Sequence, residues 1–543
     1  MEFLNLLRSE STIDLRRLIV MAVIAGLSNA MVLAVINAAA SPSAQNAEPR
    51  MVIMFLTVLI TYTISQRYLM FEASKEIERI IHRVRSRLTA AVRDSELPEI
   101  EHIGRTRIYN AISKEIQALA QNTNTLVAVS QMSLLVVFAT LYLLVLSPIA
   151  FVIAIVFMAI AVTIYLGRLQ VVNRAIQASL GAEFGLHGLL EGILDGFKEV
   201  KLNAVRSQEI SDDLLEASLD AAEARVTAQS ELTRNYVFTQ NVFFLLLATM
   251  VFVVPLLTNI ASETITKLTT AILFVTSAIA GVVSSVPVFI NANASSKNIM
   301  DLERAIGAPR RLLSESARVP VAPQAFSEIA VRDVTFAYGE GDAPGFRVGP
   351  FNVTFRAGET VFISGGNGSG KSTFMRLLTS LYWPQTGYLA LDGEPVTSDT
   401  VEAYRSLFAA VFSEYHLFPR LYGVAPEARA EVPELLALFE IADKTALVDG
   451  VFTTVDMSAG QRKRLALVVA LLERRPVCVL DEWAADQDPL FRRKFYEDIL
   501  PMLKARGITV IAVTHDDRYF HAADRRLHFE EGRIVRDLPK AEA

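Results

Sequence analysis

Six stretches of this chain are too long and too apolar to be packed as ordinary core in water, and they restrict its fold more than any other feature. They lie at roughly 17–37, 51–70, 124–146, 149–167, 236–258 and 265–290. About 20 apolar residues wound as a helix cross the hydrocarbon layer of a bilayer. With no water there, a helix satisfies each segment's backbone N–H and C=O groups internally. The six stretches are therefore expected to be transmembrane helices. All of them precede residue 291, whereas beyond residue 326 apolar residues come in short, strand-sized runs. The 52% hydrophobic content and mean hydropathy of +0.35 thus describe a membrane region joined to a soluble domain, and 543 residues are too many for a single core.

The first stretch ends at Ala38-Ala39-Ala40, which resembles a signal-peptide cleavage site. Its apolar part is too long for a signal peptide and five more stretches follow, so an uncleaved first helix is expected. The loops alternate. Residues 38–50, 147–148 and about 259–264 are short and nearly free of basic residues. Residues 71–123 and 168–235 are long and carry Arg79, Arg83, Arg85, Arg87, Arg105, Arg107, Lys198 and Lys201. The positive-inside bias puts both long loops, and both termini, in the cytoplasm. Ile77, Ile80, Ile81, Val84 and Leu88 recur at helical spacing, as do Leu189, Leu190, Ile193, Leu194 and Phe197. The membrane helices are therefore expected to continue into the cytoplasm, each excursion carrying a short surface helix near residues 100–112 and 191–203. Gln131, Gln240, Asn241, Asn291 and Asn293 lie in or beside the spans and either line a cavity or bond helix to helix.

Helix six is expected to run on through residues 296–306, so that 1–306 is the membrane domain. A Pro- and Arg-containing linker, 307–325, then leads to a soluble domain over 326–543. There, short strands such as Ile329-Ala330-Val331 and Val334-Thr335-Phe336 alternate with helical patterns. That pattern is α/β, with a mostly parallel sheet and phosphates bound at strand ends. A net charge of −6 gives no support for a nucleic-acid partner. The single cysteine, Cys478, excludes an internal disulfide and reads as a packed thiol within an apolar strand.

Gly365-Gly366-Asn367-Gly368-Ser369-Gly370-Lys371-Ser372-Thr373 fits G-x-x-x-x-G-K-[ST], with an apolar strand before it and a helical pattern after it. Its glycines let successive backbone N–H groups converge on phosphate oxygens. Lys371 is placed to reach the outer phosphates, and the Ser372 hydroxyl to ligate Mg²⁺. The apolar run Val477-Cys478-Val479-Leu480 ends in Asp481 and Glu482. Asp481 is placed to hold Mg²⁺ through water, and Glu482 to orient the attacking water. A further apolar run ends in His515, which suits a sensor of the terminal phosphate.

Met457-Ser458-Ala459-Gly460-Gln461 lies between the phosphate loop and the Asp-Glu strand. The order phosphate loop, Ser-x-Gly-Gln turn, Asp-Glu strand and histidine strand resembles the ATP-binding cassette. Six spans before one cassette is the arrangement of a half-exporter in that family. The resemblance implies a six-helix membrane bundle fused to an α/β P-loop ATPase, with ATP hydrolysis coupled to translocation and two chains per working unit, most simply two identical ones. It implies that Ser458, Ala459, Gly460 and Gln461 meet the nucleotide held by the opposite cassette. Tyr338 matches the adenine-stacking aromatic, and Asp488 the aspartate of the loop exchanged between cassettes. The turn departs from Leu-Ser-Gly-Gly-Gln at Met457 and Ala459. Ser413 stands where the family usually has a metal-contacting glutamine, with Glu414 beside it. Were this segment strand-like, the two side chains would face opposite ways, Ser413 toward the metal and Glu414 toward Arg105 or Arg107.

The stretches 482–489 and 412–418 look like the bacterial cyclic-peptide exporters, associated with microcins, lipopeptides and peptide-siderophore precursors. The expected role is export of a peptide-derived small molecule across the bacterial inner membrane. A lipid or multidrug flippase of the same architecture is the alternative. An ATP-gated sensor or channel is a third reading, against which Glu482 and His515 argue.

Overall fold

The computed structural model describes residues 2–10, 15–39, 49–121, 123–257, 262–306, 325–339 and 345–540. The expected linker, apart from residue 325, and most of the short loops 38–50 and 259–264 lie outside them. The chain divides into two compact units, one of residues 1–93 and 103–306, the other of residues 94–102 and 307–543.

The first unit is helical. It contains α1 (Glu2–Glu10), α2 (Leu15–Ala39) and most of α3 (Pro49–Asp94). The short helices α4 (Leu97–Ile103), α5 (Arg105–Asn110) and α6 (Ile116–Gln121) follow α3, and α4 belongs to the second unit up to His102. The first unit continues with α7 (Thr123–Leu146), α8 (Pro148–Asp195), α9 (Phe197–Leu202), α10 (Ala204–Ala248), α11 (Val254–Leu257), α12 (Ser262–Ser284) and α13 (Val286–Ala305). Among the described residues, six helices are long and apolar enough to cross a membrane. Helices α3, α8 and α10 have 46, 48 and 45 residues. At 1.5 Å per residue each is about 70 Å long, roughly twice the ~30 Å hydrocarbon layer. The amphipathic spacing expected beyond the spans therefore belongs to continuous helix.

Local chemistry sets the breaks. Gly104, at φ 85°, divides the first excursion into α4 and α5, where the sequence suggested one short helix. At the end of α12, Pro287 lacks an N–H and interrupts the sixth helix beside Ser285, whose hydroxyl donates to Gly281 O at 2.7 Å. Ser147 caps α8 through Ala150 N, and Asn203 caps α10 through Val205 N and Arg206 N. Two of the polar residues singled out in the spans join parts of the bundle. Gln131 donates to Gln66, and Asn293 accepts from Phe3 N at 3.4 Å.

The second unit is built on a six-stranded sheet in the order β12-β11-β3-β10-β9-β6. The strands are β3 (Thr360–Gly365), β6 (Phe408–Val411), β9 (Val477–Asp481), β10 (Thr509–Val513), β11 (Arg525–Glu530) and β12 (Arg533–Pro539). All its pairings are parallel except β11 with β12. Its central strands β9 and β10 are buried throughout, which accounts for their unbroken apolar runs. Cys478 sits inside β9, where burial pushes its thiol up to about 12. A second sheet, in the order β2-β1-β4-β5, is antiparallel and was not anticipated. The runs 329–331 and 334–336 are one strand there, β1 (Glu328–Ala337), with a bulge between Val331 and Val334 where Asp333 takes φ 49°. It pairs with β2 (Arg347–Arg356) and β4 (Thr386–Leu391), the latter also pairing with the short β5 (Glu394–Pro395), while β7 (Leu447–Val448) and β8 (Val451–Phe452) form a separate two-stranded pair.

Residues 94–102 pack within this second unit. Leu97 lies against its core, Glu96 accepts from Arg405 Nη2 at 2.5 Å, and Glu101 accepts from the Tyr382 hydroxyl at 2.6 Å.

Candidate nucleotide site

The register of the parallel sheet brings the chemistry-bearing residues to one end. Val513 on β10 stands beside Ile363 on β3 and Asp481 on β9, while Val411 on β6 stands beside Leu480. The segments that leave these strands carry the phosphate loop, Glu482, His515 and Ser413 from adjacent strand ends. In open α/β sheets this crevice beyond the carboxyl ends is where ligands bind.

The loop turns from β3 into α14 (Lys371–Leu378), which α15 (Val401–Arg405), α16 (Pro426–Arg429) and α17 (Val432–Leu438) follow along the chain. Gly365 and Gly370 have φ of 149° and 93°. A Cβ at Gly365 would lie 2.3 Å from Phe529 O, and one at Gly370 would lie 2.8 Å from Val348 Cγ1. Glycine is therefore required at both positions by backbone conformation and by space. Lys371 donates to Gly365 O at 2.9 Å and Gly366 O at 2.8 Å, folding over the loop it serves. Burial lowers its pKa, against the opposing pull of Glu482 and Asp481. The Tyr338 hydroxyl lies 3.0 Å from Thr373 Oγ1, with the tyrosine ring edge-on to Phe336.

Asp481 is buried, and its Oδ1 has no hydrogen-bond partner among the described residues. An unpartnered buried carboxylate oxygen is costly unless something else satisfies it. A hydrated cation beside the Ser372 hydroxyl fits that requirement, so the residues present suit Mg²⁺. Glu482 is left-handed at φ 50° and ψ 36°, with its N–H donating to Val513 O at 3.2 Å. Its Oε1 lies 3.2 Å from His515 Nε2, and both side chains reach solvent. The turn carrying His515 is pinned by Asp516, which accepts from Arg492 Nη1 at 3.2 Å and from the Tyr496 hydroxyl at 2.9 Å.

Ser458, Gly460, Gln461 and Asp488 form a neighbouring cluster. Ser458 caps α18 (Ala459–Leu472) in a reciprocal capping box with Gln461. Gly460 is glycine for want of space, since a Cβ would lie 2.7 Å from Asp486 O. Asp488 caps α19 (Pro489–Lys494) through Leu490 N and Phe491 N, and accepts from Arg464 Nη2 at 2.6 Å. The backbone N–H of Phe491, and then the Arg464 guanidinium, hold its carboxyl below the usual range. Gln487 joins the two parts, accepting from Arg464 Nε at 2.8 Å and donating to Gly460 O at 3.2 Å. Ala459 is exposed beside it.

One expectation about the loop after β6 is corrected. The strand ends at Val411, and Ser413 and Glu414 lie in a bend with both side chains exposed. The rule that neighbouring side chains face opposite ways therefore does not divide their roles. Arg464, Gln487 and Lys463 belong to no motif of the sequence, in which Arg462-Lys463-Arg464 only opens a basic helix.

The family model described as ABC transporter matches residues 348–485. The ATP-binding protein SyrD of Pseudomonas syringae pv. syringae is 33% identical over 474 residues, covering 85% of this chain and 83% of that protein. The ATP-dependent lipid A-core flippase of Burkholderia orbicola is 32% identical over 39% of this chain and 37% of its own length. A solved bacterial Atm1-family ABC exporter with ATP bound superposes with a TM-score of 0.75 at 18% identity, covering 97% of this chain and 96% of that one, a likeness of fold. A cassette that matches the family model, behind six membrane-capable helices and with a relative alike along most of both chains, makes this chain a multi-pass member of the ABC transporter family with the fold of an exporter, whose ATP-binding domain couples ATP hydrolysis to transport.

Proposed function

We propose that the chain is half of an exporter that uses MgATP to carry a peptide-derived molecule (a cyclic peptide, lipopeptide or siderophore precursor) across the bacterial inner membrane, paired with a second copy of itself. The observation that carries the hydrolytic part is the gathering of Lys371, Asp481, Glu482 and His515 about adjacent ends of β3, β9 and β10. MgATP supplies a terminal phosphoryl group that its metal polarises. The N–H groups of residues 365–373 cradle the phosphates, and Lys371 leaves its two carbonyls to meet their outer oxygens. Ser372 and, through water, Asp481 hold the metal, with Ser413 in the place of the family's glutamine. Glu482 orients the attacking water and takes its proton, while His515 Nε2 contacts the terminal phosphate. Tyr338 offers a partly exposed ring to adenine.

Pairing with a second copy draws support from the second excursion. Leu194 is 74% exposed, Phe197 56% and Leu202 88%, and none of the residues of α9 is buried. Apolar side chains at this density outside a membrane call for a cover. The counterpart segment 94–102 has one, packed within the second unit. A second chain's cassette is the cover we assign to residues 194–202. The segments 482–489 and 412–418, through their likeness to cyclic-peptide exporters, support the peptide cargo. The similarity of part of the chain to lipid A-core flippases supports lipid cargo as the second reading.

Deletion of the gene is expected to trap a peptide-derived compound inside the producing cell or sensitise the cell to it. Unchanged export of peptide compounds, with lipid redistributed between leaflets, would transfer the assignment to a flippase.

A further inference from the structure

Lys463 is 6% exposed on α18, whose buried residues apart from it and Arg464 are leucine, valine and alanine. A lysine there is costly unless its ammonium is paired and hydrogen-bonded. Its Nζ donates to the backbone oxygen of Glu482 at 2.9 Å and meets Asp486 Oδ2 at 2.7 Å. Its own carbonyl accepts from Trp483 Nε1 at 2.8 Å, and the indole is buried among Phe439, Phe491 and Phe495. One residue thus grips the chain on both sides of the Glu482–Trp483 peptide.

That peptide needs gripping. Glu482 is a non-glycine residue in the left-handed region, a conformation that persists when its surroundings over-determine it. Its other local restraints are the N–H bond to Val513 O, a long bond that its carbonyl accepts from Ala485 N at 3.3 Å, and the contact with His515 at the solvent-exposed end of the side chain. The phosphate cradle is made by different residues, and among the described residues Lys463 donates to none of them.

We propose that Lys463 is a positioning residue for Glu482, holding its backbone so that the carboxylate is aimed at His515 and the attacking water, and tying it to the turn Ser458–Gln461 that opens the same helix. The tie is reinforced one residue on, where Arg464 holds Gln487 and Asp488, and Gln487 returns to Gly460 O. This inference rests on the reading of Glu482 as the water-orienting carboxylate.

The test is ATP turnover against ATP concentration for the full-length chain in lipid vesicles, counted per nucleotide bound so that unfolded protein does not enter. Lys463→Met is expected to lower kcat by roughly ten- to a hundredfold, the order that a small misplacement of a reacting group costs, with KM within about twofold. Asp486→Asn, a change at a half-exposed side chain that the fold tolerates, is expected to lower kcat in the same direction by a smaller factor and carries the test if Lys463→Met fails to fold. Lys463→Arg, which keeps the charge and two donors, is expected to recover part of the loss. A kcat within about twofold of the parent in both Lys463→Met and Asp486→Asn would overturn the proposal, as would a loss confined to KM. Near-parental turnover in Glu482→Gln would overturn the reading beneath it, and the two failures are told apart because they occur in different variants.

Discussion

At the scale of single residues, the site separates holding the nucleotide from breaking it. Lys371 and the glycines belong to the loop between β3 and α14, whereas Glu482 and His515 leave the ends of β9 and β10. Glu482→Gln keeps the size of the side chain and removes a proton acceptor. It is expected to cut turnover by roughly 10²–10⁴-fold with ATP affinity near the parental value, as read by steady-state hydrolysis and by binding of a fluorescent ATP analogue. Lys371→Ala is expected to weaken binding instead, by the ~1.5–3 kcal/mol of a charge-assisted hydrogen bond. Residues in the phosphate loop and at the Asp-Glu strand were legible because their chemistry demands fixed types at short spacing. Lys463 was not, because its role comes from contact with a residue nineteen positions away. Nothing in Gln461-Arg462-Lys463-Arg464 marks Lys463 and Arg464 as buried and Arg462 as exposed. Gln487 escaped for the same reason, its two partners lying on another helix.

At the scale of elements, apolar periodicity located the long helices well and local breaks poorly. A run such as Ile77 to Leu88 reports which face of α3 is covered, so Ile80, Ile81, Val84 and Leu88 are indeed buried. Gly104 and the bulge near Asp333 change a backbone angle without disturbing the hydrophobic pattern, so one excursion helix proved to be two and two short strands proved to be one. The antiparallel sheet was hidden because pairing partners are set by non-local register. Segment 94–102 is an element whose anchoring can be measured. Glu101 is held by Tyr382 and lies 3.5 Å from Arg376, a residue of α14, the helix into which the phosphate loop leads. Glu101→Ala is expected to speed amide hydrogen exchange across residues 97–102, since local opening rises when the contacts that hold a segment are removed. Exchange unchanged in that variant would mean that Leu97 and Glu96 suffice.

At the scale of the whole molecule, the distribution of apolar residues was enough to separate six spans from a cassette, and the motif order enough to indicate the family. Cargo is harder to read, because polar residues within the spans also serve helix packing, as Gln131 does with Gln66. The central claim is that two chains close around ATP, each offering its phosphate loop to the signature turn of the other. Asn367 in the loop and Ala459 in the turn are both exposed. The sole native cysteine, Cys478, is buried, with its thiol pushed up to about 12, so it stays silent toward thiol reagents. The direct measurement is cross-linking of Asn367→Cys in one chain to Ala459→Cys in another by a short bis-maleimide, in a Glu482→Gln background that retains ATP. The account predicts a cross-linked dimer with MgATP and little without it. Equal cross-linking in both conditions, or none in either while ATP is bound, would contradict it.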